Sequence, residues 1–263
     1  MPIPCFPRQG HGRDPRYTAG PLIARIHCMN SLSDHPIAVR WPPAHPERLQ
    51  LYSFPTPNGV KVSIALEELE LPYEAHLVTL SDDDVKSDAF LSLNPNGKIP
   101  AIIDPSGPEG APLSLFESGA ILIYLAEKGG ALMPRDDAHR FQTIQWVMFQ
   151  MGGIGPMFGQ FGFFSKFAGK AVSDPLPRER YRSESVRLLR VLERRLDGRN
   201  YLMGDDYTIA DIATFPWIRA ARLFYDAEEA FEMESVPRVM AWLERCLDRP
   251  AVQRGLNMPP REA

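Results

Sequence analysis

The sequence predicts an α/β domain followed by an all-α helical bundle. From residue 48 to residue 131, segments that alternate apolar and polar residues are interleaved with helical segments in the order βαβαββα. From residue 138 to residue 263 nearly every segment has helical periodicity, and Pro and Gly occur mainly at the joints. The length of 263 residues also suggests two domains. We therefore assign residues 48–131 to the first domain and residues 138–263 to the second.

Local signals predict the elements of each domain. The strands of the first domain are residues 49–54, 73–79, 101–104 and 113–116. Its helices begin near Asn58, at Ser87 or Asp88, and at Glu117-Ser118, whereas residues 81–84 are predicted as an acidic turn. The helices of the second domain are 138 to about 160, 178–197, 208–225 and 236–246.

Composition and charge indicate an ordinary globular protein. Hydrophobic residues make up 44% and charged residues 24% of the chain, and the net charge of −4 offers no footprint for nucleic acid or anionic membrane. Three widely spaced cysteines show no disulfide or metal-ligand pattern, so we expect a reducing compartment and no metal. No apolar run approaches the ~20 residues that a membrane helix needs. A cytoplasmic location is therefore expected.

Residues 1–47 are predicted to form a mostly irregular extension, because they are rich in Pro, His and Arg and show little apolar periodicity. The part before Met29 is basic, which fits either a targeting peptide or a start codon misassigned upstream of Met29. Whether residues 1–28 belong to the mature protein stays open. Trp41 is expected to anchor the later part of the extension on the folded body.

The segment from Leu49 to Lys61 is a candidate site, because it predicts a strand, a tight turn and a helix N-terminus in succession. The first turn of a helix offers unsatisfied N–H groups and a partial positive charge. Thr56 and Asn58 add neutral hydrogen-bond donors, and the turn contains no cysteine. The segment is therefore suited to hold the thiolate of a small molecule.

Four separated motifs agree in order and spacing with one family. They are Thr56-Pro57-Asn58-Gly59, Asn94 to Ile102, Leu115 to Leu122, and Gln145-Trp146 with Gly152 to Met157. They resemble the soluble glutathione transferases, and more narrowly the bacterial Nu class of glutathione-dependent disulfide-bond oxidoreductases. Over about residues 49 to 256, the resemblance implies a glutathione transferase fold: a thioredoxin-like glutathione-binding domain followed by the bundle. It also implies a homodimer with glutathione as co-substrate.

The resemblance implies a role for each motif residue in binding glutathione. Glu117 is expected to pair with the α-ammonium group, and Ser118, at a helix start, to bind the γ-glutamyl carboxylate. The alternative for this pair is a simple helix cap. Ile99 is expected to present its backbone N–H and C=O to the cysteinyl part, with a cis bond before Pro100.

Lys98 and Arg180 each have two interpretations, and Val85 departs from the family pattern. Lys98 can approach the glycine carboxylate or lie in solvent, and Arg180 of the second domain can contact glutathione or pair with Glu184 at i+4. Val85 stands where the family usually has Gln or His, so a polar contact is missing or comes from elsewhere.

The chemistry implied is disulfide reduction by a bound glutathione thiolate that Thr56, Asn58 and the helix-start N–H groups stabilise, with no cysteine nucleophile from the enzyme. A second glutathione is then able to resolve the mixed disulfide. The alternatives are a conjugating transferase acting on electrophiles, an organic hydroperoxide peroxidase, and a non-catalytic glutathione-binding regulator. The sequence leaves open which small disulfide or electrophile is the second substrate, and whether each site holds one glutathione or two.

An aromatic and methionine-rich segment has two interpretations. It can form an apolar wall for the second substrate, or it can supply the bundle core and a dimer contact. Its large residues are Phe149, Met151, Met157, Phe158, Phe161, Phe163, Phe164 and Phe167, with glycines between them.

Overall fold

The computed structural model describes Leu32 and residues 35–261, and it has the predicted mixed sheet followed by helices. The strands are β1 Leu49–Ser53, β2 Tyr73–Leu77, β3 Ala101–Asp104 and β4 Leu113–Phe116. The helices before and among them are α1 Ile37–Arg40, α2 Gly59–Glu68, α3 Asp82–Val85, α4 Asp88–Leu93 and α5 Ser118–Gly129. The predicted strands and main helices of this part are therefore present.

The strands form one sheet in the order β2-β1-β3-β4. β1 runs parallel to β2 and antiparallel to β3, and β3 is antiparallel to β4. Leu51 lies at the centre, opposite Ala75 of β2 and Ile102 of β3. The parallel β1–β2 pair is joined through α2, as the predicted βαβ unit requires. The C-terminal end of β1 therefore leads directly into the turn that holds the predicted thiolate site.

The second part of the chain is helical throughout. Its helices are α6 Asp137–Phe149, α7 Gly155–Ser165, α8 Leu176–Arg195, α9 Ile209–Leu223, α10 Pro237–Leu247 and α11 Pro250–Gly255. A π-helical turn, Gln150–Ile154, separates α6 from α7, where the sequence predicted one continuous helix. Among the described residues, no helix is long and apolar enough to cross a membrane.

Three short elements differ from the predictions. α3 occupies the segment predicted as an acidic turn, because its last residue, Val85, is buried in the core. The short α1 lies in the described part of the 1–47 extension, most of which is outside the described residues, and α11 was not predicted. Two local predictions are confirmed: Ser87 caps α4 by accepting the N–H of Phe90, and Thr208 and Asp211 form the capping box of α9.

The hydrophobic core continues from one part of the molecule into the other. α2 and α5 pack on one face of the sheet; both contact α9 of the bundle, and α2 also contacts α11. A smaller cluster lies on the opposite face, where Trp41 contacts Tyr52 and Phe90 edge-to-face and donates its indole N–H to Leu77 O at 3.0 Å. The predicted anchoring of the extension by Trp41 is thus confirmed.

Candidate active site

The turn between β1 and α2 is held by Thr56. Its Oγ1 accepts the N–H of Gly59 at 3.2 Å, and its carbonyl oxygen accepts the N–H of Val60 at 3.0 Å. A Cβ at Gly59 would lie 1.9 Å from Phe54 O, so only glycine fits there. The helix-start N–H groups of Gly59 and Val60, which were expected to bind a thiolate, therefore donate to Thr56 instead. The Thr56 hydroxyl proton is left as a donor.

Asn58 is oriented by a tryptophan from the bundle. Its Oδ1 accepts a hydrogen bond from Trp217 Nε1 of α9 at 3.0 Å. Because an indole N–H can only donate, the atom facing it must be the amide oxygen, which directs the NH₂ group of Asn58 away from Trp217. The glycines Gly155 and Gly159 of α7 leave room for the indole, whose ring atoms lie about 3.5 Å from the position of an added Cβ. The bundle therefore sets the direction of a donor in the first domain.

A small cavity of about 60 Å³ brings most of the predicted binding residues together. Its lining residues are Asn58, Asn94, Asn96, Lys98, Ile99, Pro100, Glu117 and Ser118. The Ile99–Pro100 bond is cis, as the resemblance implied. Thr56 lies beside this cavity and lines a neighbouring, larger one.

Asn94 and Asn96 are site residues that the sequence analysis did not single out, although they stand in one of its motifs. Asn94 is buried, donates from Nδ2 to Lys98 O at 2.5 Å and accepts the N–H of Asn96 at 2.9 Å. These bonds shape the loop before the cis bond. Val85, in contrast, packs in the core below the sheet and does not line the cavity. The polar contact expected at its position is therefore absent from that side chain.

Glu117 has a strained backbone, with φ of +74° and ψ of 109°. Positive φ is uncommon for a residue with a Cβ and tends to occur at functional sites. With these dihedral angles the chain turns from β4 into α5 at Glu117. The Glu117 side chain is exposed, and the Ser118 side chain is buried. A carboxylate and a helix-start hydroxyl are thereby presented to one cavity.

Behind Ser118 lies a fully buried lysine that the sequence analysis overlooked. Lys61 Nζ donates to Gln150 Oε1 at 2.6 Å and to Ser118 Oγ at 3.2 Å, and lies 3.7 Å from Met151 Sδ. Burial lowers the pKa of Lys61 to about 7, although the charge of Glu117 acts in the opposite direction. A signal was present in the sequence, because Lys61 stands between Val60 and Val62 in an otherwise apolar helix segment.

Arg180 shows the alternative that the sequence left open. Its side chain is exposed and forms an i,i+4 ion pair with Glu184 at 3.6 Å. It lines neither the small cavity nor the larger one. A contact between Arg180 and glutathione stays a prediction.

A second cavity of about 440 Å³ opens beside Thr56 and Asn58. Most of its wall comes from the turn after β1, from α9 and from the two residues that follow α9. The lining residues include Phe54, Thr56, Asn58, Phe167, Pro216, Trp217, Arg219, Leu223, Phe224, Tyr225 and Arg261. Of the aromatic and methionine-rich segment, for which a wall and a core interpretation were open, only Phe167 lines this cavity. Phe158 and Phe161 instead pack on Phe231 in the core.

The part of the chain that the structure describes places no reactive cysteine at the site. Cys246 of α10 is the one cysteine among the described residues, and burial raises the pKa of its thiol. The described residues also contain no cluster of three or more His, Cys, Asp and Glu side chains that could hold a metal ion. The chemistry available from these side chains is hydrogen bonding and charge.

Comparisons with known proteins agree with this arrangement. The family model described as "Glutathione S-transferase, N-terminal domain" matches residues 47–127, and the one described as "Glutathione S-transferase, C-terminal domain" matches residues 177–245. The chain belongs to the glutathione S-transferase family. Disulfide-bond oxidoreductase YfcG of Escherichia coli K12 is 43% identical over 209 residues, which are 79% of this chain and 94% of that protein.

Solved structures of family members are similar over most of the chain. A glutathione transferase from Burkholderia graminis, with two glutathione molecules bound per subunit, is 62% identical and has a TM-score of 0.86. The superposition covers 90% of this chain and 99% of that one. A glutathione transferase from Pseudomonas putida, with one glutathione disulfide bound per subunit, is 58% identical with a TM-score of 0.85, covering 87% and 99% of the two chains.

Proposed function

We propose that this family member is a glutathione-dependent disulfide-bond oxidoreductase of the Nu class. Glutathione lies across the small cavity, which takes up only part of the peptide, with its thiol toward Thr56 and Asn58, next to the 440 Å³ cavity that receives the disulfide. The name of the E. coli relative and the ligands of the bacterial homologues support this assignment. The observation that carries it is the Trp217–Asn58 hydrogen bond, which aims an amide donor into a site without a cysteine.

The binding roles follow from charge and hydrogen-bonding capacity. Glu117 pairs with the α-ammonium group of glutathione, and Ser118 donates to the γ-glutamyl carboxylate at the N-terminus of α5. Ile99 offers its backbone to the cysteinyl residue, and Lys98 supplies a positive charge for the glycine carboxylate. The cavity lined by all four residues supports this orientation of the ligand.

All reacting sulfur atoms come from glutathione and the disulfide substrate, and none comes from the enzyme. The bound thiolate attacks one sulfur of a disulfide, so that a new S–S bond forms, the old one breaks, and the departing thiolate takes up a proton. A second glutathione thiolate then attacks the mixed disulfide and releases glutathione disulfide and the second reduced thiol. Two glutathiones are oxidised for each disulfide reduced. The enzyme contributes stabilisation of the first thiolate and alignment of the disulfide.

Two arginines indicate which charge the disulfide substrate carries. Arg219 of α9 and Arg261 line the larger cavity, and the guanidinium of Arg261 lies 5.4 Å from the ring centroid of Phe54. Positive charge at the edge of an apolar cavity favours a disulfide that carries carboxylates. We expect glutathionylated substrates to be reduced faster than uncharged ones.

The active form is proposed to be a cytoplasmic homodimer. Large apolar side chains are exposed at Phe116 of β4 and at Phe141 and Met148 of α6, which lie two turns apart on one helix face. A surface of this kind is typical of a subunit contact. Light scattering of the purified protein is expected to give twice the mass of the chain.

The central test is the substitution Asn58→Ala, assayed with a small disulfide, an aryl halide and an organic hydroperoxide. Because a hydrogen bond to a charged group contributes about 1.5–3 kcal/mol, we expect the reductase kcat/KM to fall about tenfold or more. The ultraviolet absorbance of the bound thiolate at neutral pH is expected to fall as well.

The three assays also separate the alternatives. Faster turnover of the aryl halide or the hydroperoxide than of the disulfide would assign the protein to conjugation or peroxide reduction. Binding of glutathione without turnover of any of the three would identify a regulator. An Asn58→Ala protein with unchanged reductase activity and thiolate absorbance would contradict the proposed role of this residue.

A further inference from the structure

Lys61 has a buried amino group without a carboxylate partner in hydrogen-bond contact. Its Nζ contacts the neutral acceptors of Gln150, Ser118 and Met151, and no ion pair within 4 Å joins it to any other described residue. Burial of an unpaired ammonium group is costly, and proteins usually compensate it with an anion. The ammonium therefore lies where an incoming negative charge would stabilise it.

Ser118 connects this ammonium group to the glutathione cavity. Its Oγ accepts a hydrogen bond from Lys61, so the hydroxyl proton of Ser118 is free to be donated elsewhere. Within the described residues it is donated to Met151 Sδ at 3.6 Å, and a thioether is a weak acceptor. Since Ser118 also lines the small cavity, its proton is available to a ligand carboxylate.

We propose that Lys61 is a positioning residue for glutathione: a buried counter-charge that acts on the γ-glutamyl carboxylate through Ser118. This inference rests on the proposed binding of glutathione. Lys61 polarises the Ser118 hydroxyl toward the carboxylate and adds a full positive charge behind the helix N-terminus. Gln150 of the π-helical turn holds the other side of the ammonium group.

The proposal makes glutathione binding depend on pH. The charged side chains on or beside the elements packed against this part of α2 are Glu117, Glu127, Lys128, Asp211, Arg219, Arg222, Arg249 and Arg254. Glu117 is the one that acts on the pKa of Lys61, which lies at about 7 before ligand binds. A bound carboxylate favours the ammonium form and raises this pKa. The complex therefore takes up protons above pH about 7, and affinity falls as pH rises further.

The first experiment measures that proton uptake in the unaltered protein. S-methylglutathione is titrated at pH about 7.5 in buffers of different ionisation enthalpy, because the methylated sulfur cannot release a proton of its own. We expect net uptake of protons by the wild-type complex, and its loss in Lys61→Met. Lys98→Met is the matched control, since this exposed lysine lines the same cavity. It is expected to weaken binding but to keep the proton uptake.

The second experiment tests whether Lys61 acts on the carboxylate. The probe is S-methylated 4-aminobutanoyl-cysteinylglycine, which keeps the amino group of glutathione and lacks the α-carboxylate. Wild-type protein is expected to bind it about tenfold or more weakly than S-methylglutathione. Lys61→Met is expected to distinguish the two peptides less than the wild type does, because Ser118 and the N-terminus of α5 still bind the carboxylate but the counter-charge behind them is gone.

The outcomes separate this inference from the proposed function. If S-methylglutathione does not bind the wild-type protein, the proposed function fails. If it binds without proton uptake, or if Lys61→Met still distinguishes the two peptides as the wild type does, the role of Lys61 is overturned while glutathione binding stands. Should Lys61→Met fail to fold, net proton uptake by the wild-type complex supports the role of Lys61, and its absence overturns that role.

Discussion

At the scale of single residues, the site depends on which end of an amide faces the ligand. Asn58 can stabilise a thiolate only through its NH₂ group, because its carbonyl oxygen would repel negative charge. The indole N–H of Trp217 occupies that oxygen at 3.0 Å. A free asparagine could rotate, whereas this one is held in the orientation that the proposed chemistry needs.

The substitution Trp217→Phe tests this restraint. It removes the N–H donor and keeps an aromatic ring against α7. We expect the thiol pKa of bound glutathione to rise by about one unit, since one oriented hydrogen bond to the thiolate is weakened. The pKa is read from the ultraviolet absorbance of the thiolate against pH.

Two comparisons control the Trp217→Phe result. Trp146→Phe makes the same change on α6, where the ring packs on Phe149 away from both cavities, and is expected to leave the thiol pKa unchanged. In an Asn58→Ala background, Trp217→Phe is expected to have no further effect on the thiol pKa. A shift of equal size with and without Asn58 would show that the tryptophan acts by some other route.

The motif residues around the cavity could be predicted from sequence, but their supporting residues could not. Asn58, Ile99, Glu117 and Ser118 stand in local motifs, and the structure brings them to one cavity. The apolar neighbours of Lys61 in the sequence point to its burial but not to its hydrogen-bond partners. Its partner Gln150 is 89 residues away, and Trp217 is 159 residues from Asn58, so local patterns carry no information on either contact.

At the scale of elements, α7 supports the larger cavity from behind, although none of the described residues that line the cavity belongs to α7. Its glycines follow at Gly155, Gly159 and Gly162, and the large rings that line the cavity pack against them. At Gly162 an added Cβ would lie 2.6 Å from the ring of Tyr225. In the sequence these glycines stand between large residues, but of the phenylalanines named there for a possible wall only Phe167 lines the cavity.

Gly162→Ala should therefore alter the second-substrate cavity and spare the glutathione cavity. A rigid ring at 2.6 Å must move, and Tyr225 lines the larger cavity. We expect KM for the disulfide to change about threefold or more, with unchanged affinity for S-methylglutathione.

Gly159→Ala, one turn earlier on α7, is the matched control for Gly162→Ala. Its Cβ would meet the Trp217 ring at 3.4 Å, an ordinary contact, and KM for the disulfide is expected to stay the same. Loss of glutathione affinity in Gly162→Ala would contradict the separation of the two cavities.

At the scale of the whole molecule, α2 is the element on which the sheet domain and the bundle meet. Glu68 of α2 forms a bidentate ion pair with Arg249 at 2.6 and 2.7 Å, and Ser63 Oγ donates to Gly255 O at 2.6 Å. The packing of α11 on α2 is close: an added Cβ at Gly255 would lie 2.6 Å from Ile64 Cα. The backbones of the two helices therefore touch.

Gly255→Ala is expected to lower the free energy of unfolding by about 1–3 kcal/mol, because backbone atoms cannot rotate out of the way of the new methyl group. Urea denaturation followed by circular dichroism measures the change. Gly152→Ala provides the comparison, since a Cβ there meets nothing within 4 Å and is expected to leave stability equal or slightly higher. Equal stability of the two variants would show that α11 is not firmly packed on α2.

The overall fold was predictable because its signals are local. Strands, helices, caps and their order follow from periodicity and turn residues, and the structure confirms an α/β sheet followed by a helical bundle. The π-helical turn was not predictable, since Gln150 to Ile154 continues the helical pattern without interruption. The π-helical turn makes a long-range contact that local patterns do not show: Gln150 accepts a hydrogen bond from Lys61 of α2.

Lys61 and Asn58 belong to the sheet domain but are held by residues of the helical bundle. This division limits how the site can be reused in protein engineering. A chimera that transplanted only the sheet domain onto another scaffold would carry the glutathione motifs but not their supports. It would lose the acceptor that Gln150 provides for the ammonium group and the indole that orients the amide. A functional chimera must also contain the π-helical turn and α9. The smallest unit that can be transferred is therefore the pair of domains.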